Sequence, residues 1–214
     1  MARVGVLASG GGTNLAALIE ATTAQGSPAR IVVVGADRPR AGALQRARAA
    51  QIPTFVVLKR DHPDRRGFDR ALVEQLRAHH VEWVCLAGFM KRIGPPMLDA
   101  FPSRILNIHP ALLPAFPGLD GQGQAHRHGV RIAGCTVHLV DAGTDTGPIV
   151  AQGAVPVLQG DTEHNLQQRI LRMEHTIYPA ALRWAVEGRL TVEDRRVHID
   201  LPEGEAPWWF DPTP

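Results

Sequence analysis

Residues 3–20, RVGVLASGGGTNLAALIE, decide the reading of this chain. Arg3–Ala8 is a short apolar run, Ser9–Asn14 (SGGGTN) is rich in glycine, and LAALIE is a run of helix formers. That order is a strand, a tight turn and a helix. Glycines let the backbone turn sharply and come close to a ligand. The helix start then offers unpaired N–H groups and the positive end of its dipole, an environment that suits phosphate. Counted from Gly10 the residues run G-G-G-T-N-L, so the third glycine of a dinucleotide fingerprint is missing, and so is the lysine of a P-loop. The expected ligand is a monophosphate.

The same alternation continues outward. Strands are expected at Ile31–Ala36, Thr54–Leu58, Trp83–Ala87 and Ile105–Ile108, with helices at Ala41–Ala50 and Phe68–His79. The second helix carries Phe68, Leu72 and Leu76 on one face. Strands alternating with helices give a mostly parallel twisted sheet with right-handed crossovers and helices on both faces, an α/β fold. After residue 110 the pattern changes. Residues 110–123 form a loop rich in proline and glycine, followed by strands at Ile132–Val140 and Ile149–Val157. A long helix is expected from Asp161 to Glu187, capped by Asp161 or Thr162, with a bend at Pro179. Its apolar stripe is Leu166, Ile170, Met173, Ile177, Ala181 and Trp184. A hairpin over Leu190–Ile199 follows, and the aromatic tail Trp208–Trp209–Phe210 is expected to fold back on its own domain. No repeat or long linker divides the 214 residues, so a single domain is expected.

Composition removes several classes. The chain is 44% hydrophobic and 21% charged, an ordinary globular mixture that excludes disorder, collagen and coiled coil. No apolar run is long enough to span a membrane. The start, MARVGVLASGGG, lacks the apolar stretch of a secretory signal, so a cytoplasmic protein is expected. The net charge is +2 and no long basic run exists, so no nucleic-acid partner is expected. Cys85 and Cys135 lie in apolar segments and read as reduced core cysteines.

Three further segments carry chemistry. In LNIHP, Asn107 and His109 end a strand and share one of its faces, where an amide and an imidazole can polarise a carbonyl and hold developing oxygen charge. The loop VDAGTDTGP (140–148) carries Asp141 and Asp145. One of them beside His109 would favour the imidazolium and relay a proton, and spacing does not choose between them. In MEHTIYP, Glu174 lies mid-helix and can hold an amine-bearing ligand. No HExxH or CxxC spacing occurs, and no metal is expected.

These segments together resemble the folate-dependent formyltransferases, and among them the glycinamide ribonucleotide transformylase family. The resemblance rests on VLASGGGTNLAALIE (6–20), LAGFMKRIGP (86–95), LNIHPALLPAFPG (106–118), TVHLVDAGTDTGPIVAQGAVPV (136–157) and RMEHTIYPAALRW (172–184), five motifs in one order. It implies a Rossmann-like formyltransferase fold, with a ribonucleotide half over 1–105 and a catalytic and folate half over 106–200. It implies a phosphate cradle at Gly12, Thr13, Asn14 and Leu15, with Glu174 on the glycinamide amine. It implies a folate site of Arg65, Met90, Lys91, Arg92, Ile93, Asn107, Val140, Asp141 and Asp145. Relatives often have arginine and two apolar residues after the methionine, so Lys91–Arg92 departs from the pattern and backbone contacts are what carries over. The implied catalytic trio is Asn107, a protonated His109 and Asp145. The implied co-substrate is 10-formyltetrahydrofolate, without metal, in purine (IMP) biosynthesis, by a monomer or homodimer acting on small molecules.

Other readings share parts of this pattern. A methionyl-tRNA formyltransferase is expected to carry an extra C-terminal domain, and a formyltetrahydrofolate deformylase an extra N-terminal one. Here the first strand begins at residue 3 and a short tail follows the long helix. A non-catalytic folate- or nucleotide-binding module would keep SGGGTN without needing the trio.

Overall fold

A computed structural model describes residues 1–213 and divides into two compact units, Met1–Asn107 and a second from Ile108 on. In the first unit, β1 (Ala2–Ala8) pairs in parallel with β2 (Ala29–Ala36) and with β4 (Trp83–Leu86). Beyond β2 lies β3 (Thr54–Val56) and beyond β4 lies β5 (Ile105–His109), both also parallel. The strand order β5-β4-β1-β2-β3 places the first strand in the middle, with the chain winding outward in both directions. The β-branched and apolar residues of β1 and β2, among them Val4, Val6, Leu7, Val33 and Val34, are buried.

The helices of this unit are α1 (Thr13–Thr23), α2 (Gly42–Ala49), α3 (Arg65–Ala78) and α4 (Pro95–Ala100). The face of α3 read from the sequence, Phe68, Leu72 and Leu76, is fully buried. Asp64 caps it, its carboxylate accepting from the Gly67 N–H at 2.7 Å. The short helix α4 was not expected: six residues opening on two prolines give no periodic stripe to read.

In the second unit, β6 (Ile132–Leu139) and β7 (Ile149–Pro156) pair antiparallel. The long helix α6 (Glu163–Val186) runs through Pro179 without a break, and Thr162, not Asp161, caps it by accepting from the Asn165 N–H. All six residues of its expected stripe are buried, each large one contributing about 1.5–3 kcal/mol. The 110–123 stretch is not loop throughout, because helix α5 (Gly121–His128) starts inside it. Glycine and histidine are poor helix formers, and the Asp120–Gly129 boundaries are set by left-handed backbone at both ends. The expected hairpin is β8 (Leu190–Glu193) with β9 (Arg196–Ile199). The tail folds back as β10 (Trp208–Phe210), parallel to β7, with Trp209 stacked on Trp184.

Candidate active site

The glycine turn is shaped by contacts with α2. Gly12 has φ of 76°, and a Cβ there would lie 2.7 Å from the Ala43 backbone, so only glycine fits. The Gly10 carbonyl accepts from the Ala43 N–H and the Gly11 carbonyl from Arg46 Nε at 2.8 Å. With those carbonyls engaged on α2, the start of α1 has no capping side chain and no acidic residue in its first turn. The N–H groups of that first turn stand where the sequence expects an anion to bind. Thr13 and Asn14 sit in that first turn, whereas the Leu15 side chain is wholly buried in the core, leaving its backbone as the part available to a ligand.

Asp37 follows β2, and its side chain is 2% exposed. Arg38 Nε and Lys91 Nζ each lie 3.4 Å from its carboxylate. The Ser9 hydroxyl donates to the same group and accepts from the Met90 N–H at 2.8 Å. Burial opposes ionisation of Asp37, but Ser9, Arg38 and Lys91 outweigh it and hold the carboxyl below its ordinary value. Met90 is exposed and Ile93 buried, and Arg92 reaches solvent. Arg65 stands 3.9 Å from the fully buried Asp69, its neighbour one turn on. A Cβ on Gly94 would strike Asp69 at 2.4 Å, so the chain just after Met90–Ile93 lies directly on that carboxylate. The resemblance did not mark Asp37, Arg38 or Asp69. For Asp37 and Arg38 the signal available in the sequence was a charged pair ending the apolar run Ile31–Ala36, whereas Asp69 lies inside a charged helix and gave none.

Asn107 and His109 stand two apart near the end of β5. His109 is buried, and its Nδ1 lies 3.4 Å from Asp145 Oδ2. Its Nε2 contacts the Phe116 carbonyl at 2.8 Å, which makes Nε2 the protonated nitrogen. Asp145 therefore, and not Asp141, meets the imidazole. Asp141 is spent on its own loop, accepting from the Gly143 N–H and the Thr146 hydroxyl at 3.0 and 2.7 Å. Asp145 has left-handed backbone, φ 55°, a conformation aspartate tolerates better than most residues. It accepts from the Gly118 N–H and faces a second imidazole, His138 Nε2, at 3.7 Å. Burial raises its carboxyl, but the two histidines and Gly118 outweigh burial, and the net effect is a value below the ordinary one. For His109, burial is the largest influence and pushes the imidazole down, against Asp145 and the Phe116 carbonyl, with His138 pushing the same way as burial. The net effect is an imidazole held below its ordinary value.

The loop after His109 is pinned from β6 and β7. The Thr136 hydroxyl donates to the Ala111 carbonyl at 2.7 Å and accepts from the Leu113 N–H, and the Gln152 amide donates to the Leu113 carbonyl. His138, Thr136 and Gln152 were missed. Each is a polar residue in a run otherwise read as core strand, and that interruption was the available signal. Glu174 is buried mid-α6, and the burial of Cys135 together with the charge of Glu174 pushes the Cys135 thiol well above its ordinary value. Both cysteines are free and buried. Among the described residues no cluster of histidine, cysteine and carboxylates has the make-up to hold a metal, and no helix is long and apolar enough to cross a membrane.

A parallel sheet with a glycine turn after β1, and a buried imidazole–carboxylate pair that begins at the end of β5, are the parts of an α/β enzyme with acid–base chemistry. Residues 2–182 match the formyl transferase family model. The phosphoribosylglycinamide formyltransferase of Mycobacterium tuberculosis is 47% identical over 194 residues, 91% of this chain and 89% of that protein. That of Bacillus subtilis is 43% identical over 183 residues, covering 86% and 94%. The crystal structure of glycinamide ribonucleotide transformylase 1 from Symbiobacterium toebii superposes with a TM-score of 0.91 at 55% identity, over 93% of this chain and 94% of that one. The chain belongs to the formyl transferase family.

Proposed function

We propose that this chain transfers the formyl group of 10-formyltetrahydrofolate to the amine of 5-phosphoribosylglycinamide, giving N-formylglycinamide ribonucleotide and tetrahydrofolate. The observation that carries the reading is the His109–Asp145 pair, two residues beyond Asn107, in a chain so close to relatives of that name over nearly their whole length. The Gly12–Asn14 turn takes the phosphate and Glu174 the amine-bearing end. Met90–Ile93, Val140, Asp141 and Arg65 belong to the folate.

The amine nitrogen attacks the formyl carbon, and the carbonyl π electrons move onto oxygen. The Asn107 amide and the His109 Nε2–H donate to that oxyanion, each donor being worth about 10²–10³-fold in rate. For Nε2 to do so, the Phe116 carbonyl gives up its place to the substrate oxygen. The attacking nitrogen loses a proton, which passes through water to the His109–Asp145 pair at Nδ1. Asp145 stabilises the imidazolium so formed. The oxyanion collapses, the bond from carbon to folate N10 breaks, and the proton passes to N10. Holding both substrates in contact supplies much of the remaining acceleration.

A folate absorbance assay tests this. Formyl loss that depends on glycinamide ribonucleotide is expected. Equal loss without the amine would replace the reading with a deformylase, and no loss in either case would leave only a binding module.

A further inference from the structure

A cavity of about 240 Å³ lies within the first unit, lined by residues 9–14, by Ala87, Gly88 and Met90, and by Arg38, the one cationic side chain among its described lining residues. Arg38 is not committed elsewhere as a whole: its Nε faces Asp37, and about half of the side chain is exposed. A guanidinium held through Nε keeps its terminal amino groups as a planar donor pair, the geometry that matches two phosphate oxygens. Asp37 is buried and carries two cations, Arg38 and Lys91, on a single carboxylate, so the cluster retains a surplus positive charge. The Ser9 hydroxyl fastens that carboxylate to the chain just before the glycine turn.

We propose that Arg38 binds the phosphate of the substrate at the mouth of the glycine-lined cavity, and that Asp37 is the positioning residue that holds the guanidinium there. This rests on the reading of the substrate as a phosphorylated amine. The backbone N–H groups of the turn orient the phosphate, and Arg38 supplies the charge they lack. Discrimination between the nucleotide and its dephosphorylated nucleoside is therefore a property of a side chain after β2 as well as of the turn.

The test is titration calorimetry of the intact chain with glycinamide ribonucleotide and with the corresponding nucleoside. The ratio of their dissociation constants measures the phosphate's contribution. Arg38→Met is expected to reduce that ratio about 10- to 100-fold while leaving nucleoside affinity unchanged, and Arg38→Lys to restore part of it. Asp37→Asn is expected to reduce it several-fold. In turnover, all three raise KM for the ribonucleotide and spare kcat at saturation. Arg30→Met, at the opposite end of β2, controls for general loss of positive charge and leaves the ratio intact. An unchanged ratio in Arg38→Met, or no phosphate preference in the wild type, overturns the proposal. An effect of Arg38→Met with none from Asp37→Asn overturns the positioning role. Because binding is the readout, a wild type that binds the nucleotide but transfers no formyl group would sink the proposed reaction without touching the Arg38 result.

Discussion

Asp145 faces two imidazoles, at 3.4 and 3.7 Å, and one backbone N–H, so its charge is held firmly. His109 is pulled two ways, and burial wins. Neutral His109 is the proton acceptor in the proposed reaction, so kcat/KM falls as pH drops through its lowered pKa, on the acid side of the ordinary 6.5. Asp145→Asn removes the charge that props that pKa up. The acid limb of the profile then moves to still lower pH while the plateau drops about 10²–10⁴-fold. A limb that stays put in a pH–rate titration would show that some other group titrates. His109→Ala is expected to lose kcat by a similar factor with unchanged circular dichroism. Spacing placed both aspartates in one loop without choosing between them, and only the family resemblance pointed to Asp145. Asp141 and Asp145 are four residues apart, and only the turn closed by Gly143 and Thr146 decides which carboxylate reaches the ring.

Among the elements, α6 is fastened at its start by a buried ion pair. Arg169 donates to both oxygens of Asp161, at 2.7 and 3.1 Å, and to the Pro156 carbonyl at the end of β7. Asp161 also accepts from the Leu158 N–H, so strand, turn and helix share one knot. The Arg169 guanidinium holds the Asp161 carboxyl below its ordinary value. A depressed carboxyl stabilises the fold above its unfolded pKa, and that contribution is lost as pH falls through the folded one. Asp161→Asn is therefore expected to cost about 3 kcal/mol at neutral pH in urea melts. The deficit relative to wild type should shrink below the ordinary carboxylate range. Most elements could be read from periodicity, and every residue expected on the apolar faces of α3 and α6 is buried, but Asp69 and Val73 of α3 and Arg169, Tyr178 and Leu182 of α6 are buried as well and were not read from the stripe. The exceptions were α4 and α5, short helices of proline, glycine and histidine whose backbone is set by neighbours rather than by an apolar stripe.

For the molecule as a whole, the tail is part of the second unit's core rather than an appendage. Trp209 stacks on the buried Trp184 with ring centroids 5.7 Å apart, and Glu205 accepts from the Trp184 indole N–H at 2.8 Å. Trp209→Ala is expected to lower stability by about 2 kcal/mol and the melting temperature by about 4–8 °C. Tryptophan fluorescence should shift to the red as Trp184 meets water. A melting curve identical to wild type would mean the stack contributes nothing.

Order along the chain was enough to establish the strand–glycine turn–helix opening, the parallel α/β plan and the family, because period and turn chemistry are local and survive without coordinates. The burial of His109, its pairing with Asp145, the second imidazole of His138 on that carboxylate, the Thr136–Gln152 clamp on the loop and the Asp37–Lys91 pair were decided by the tertiary structure alone. Each depends on how far apart distant residues end up and on how much water is left between them, and those quantities come into being only when the chain packs.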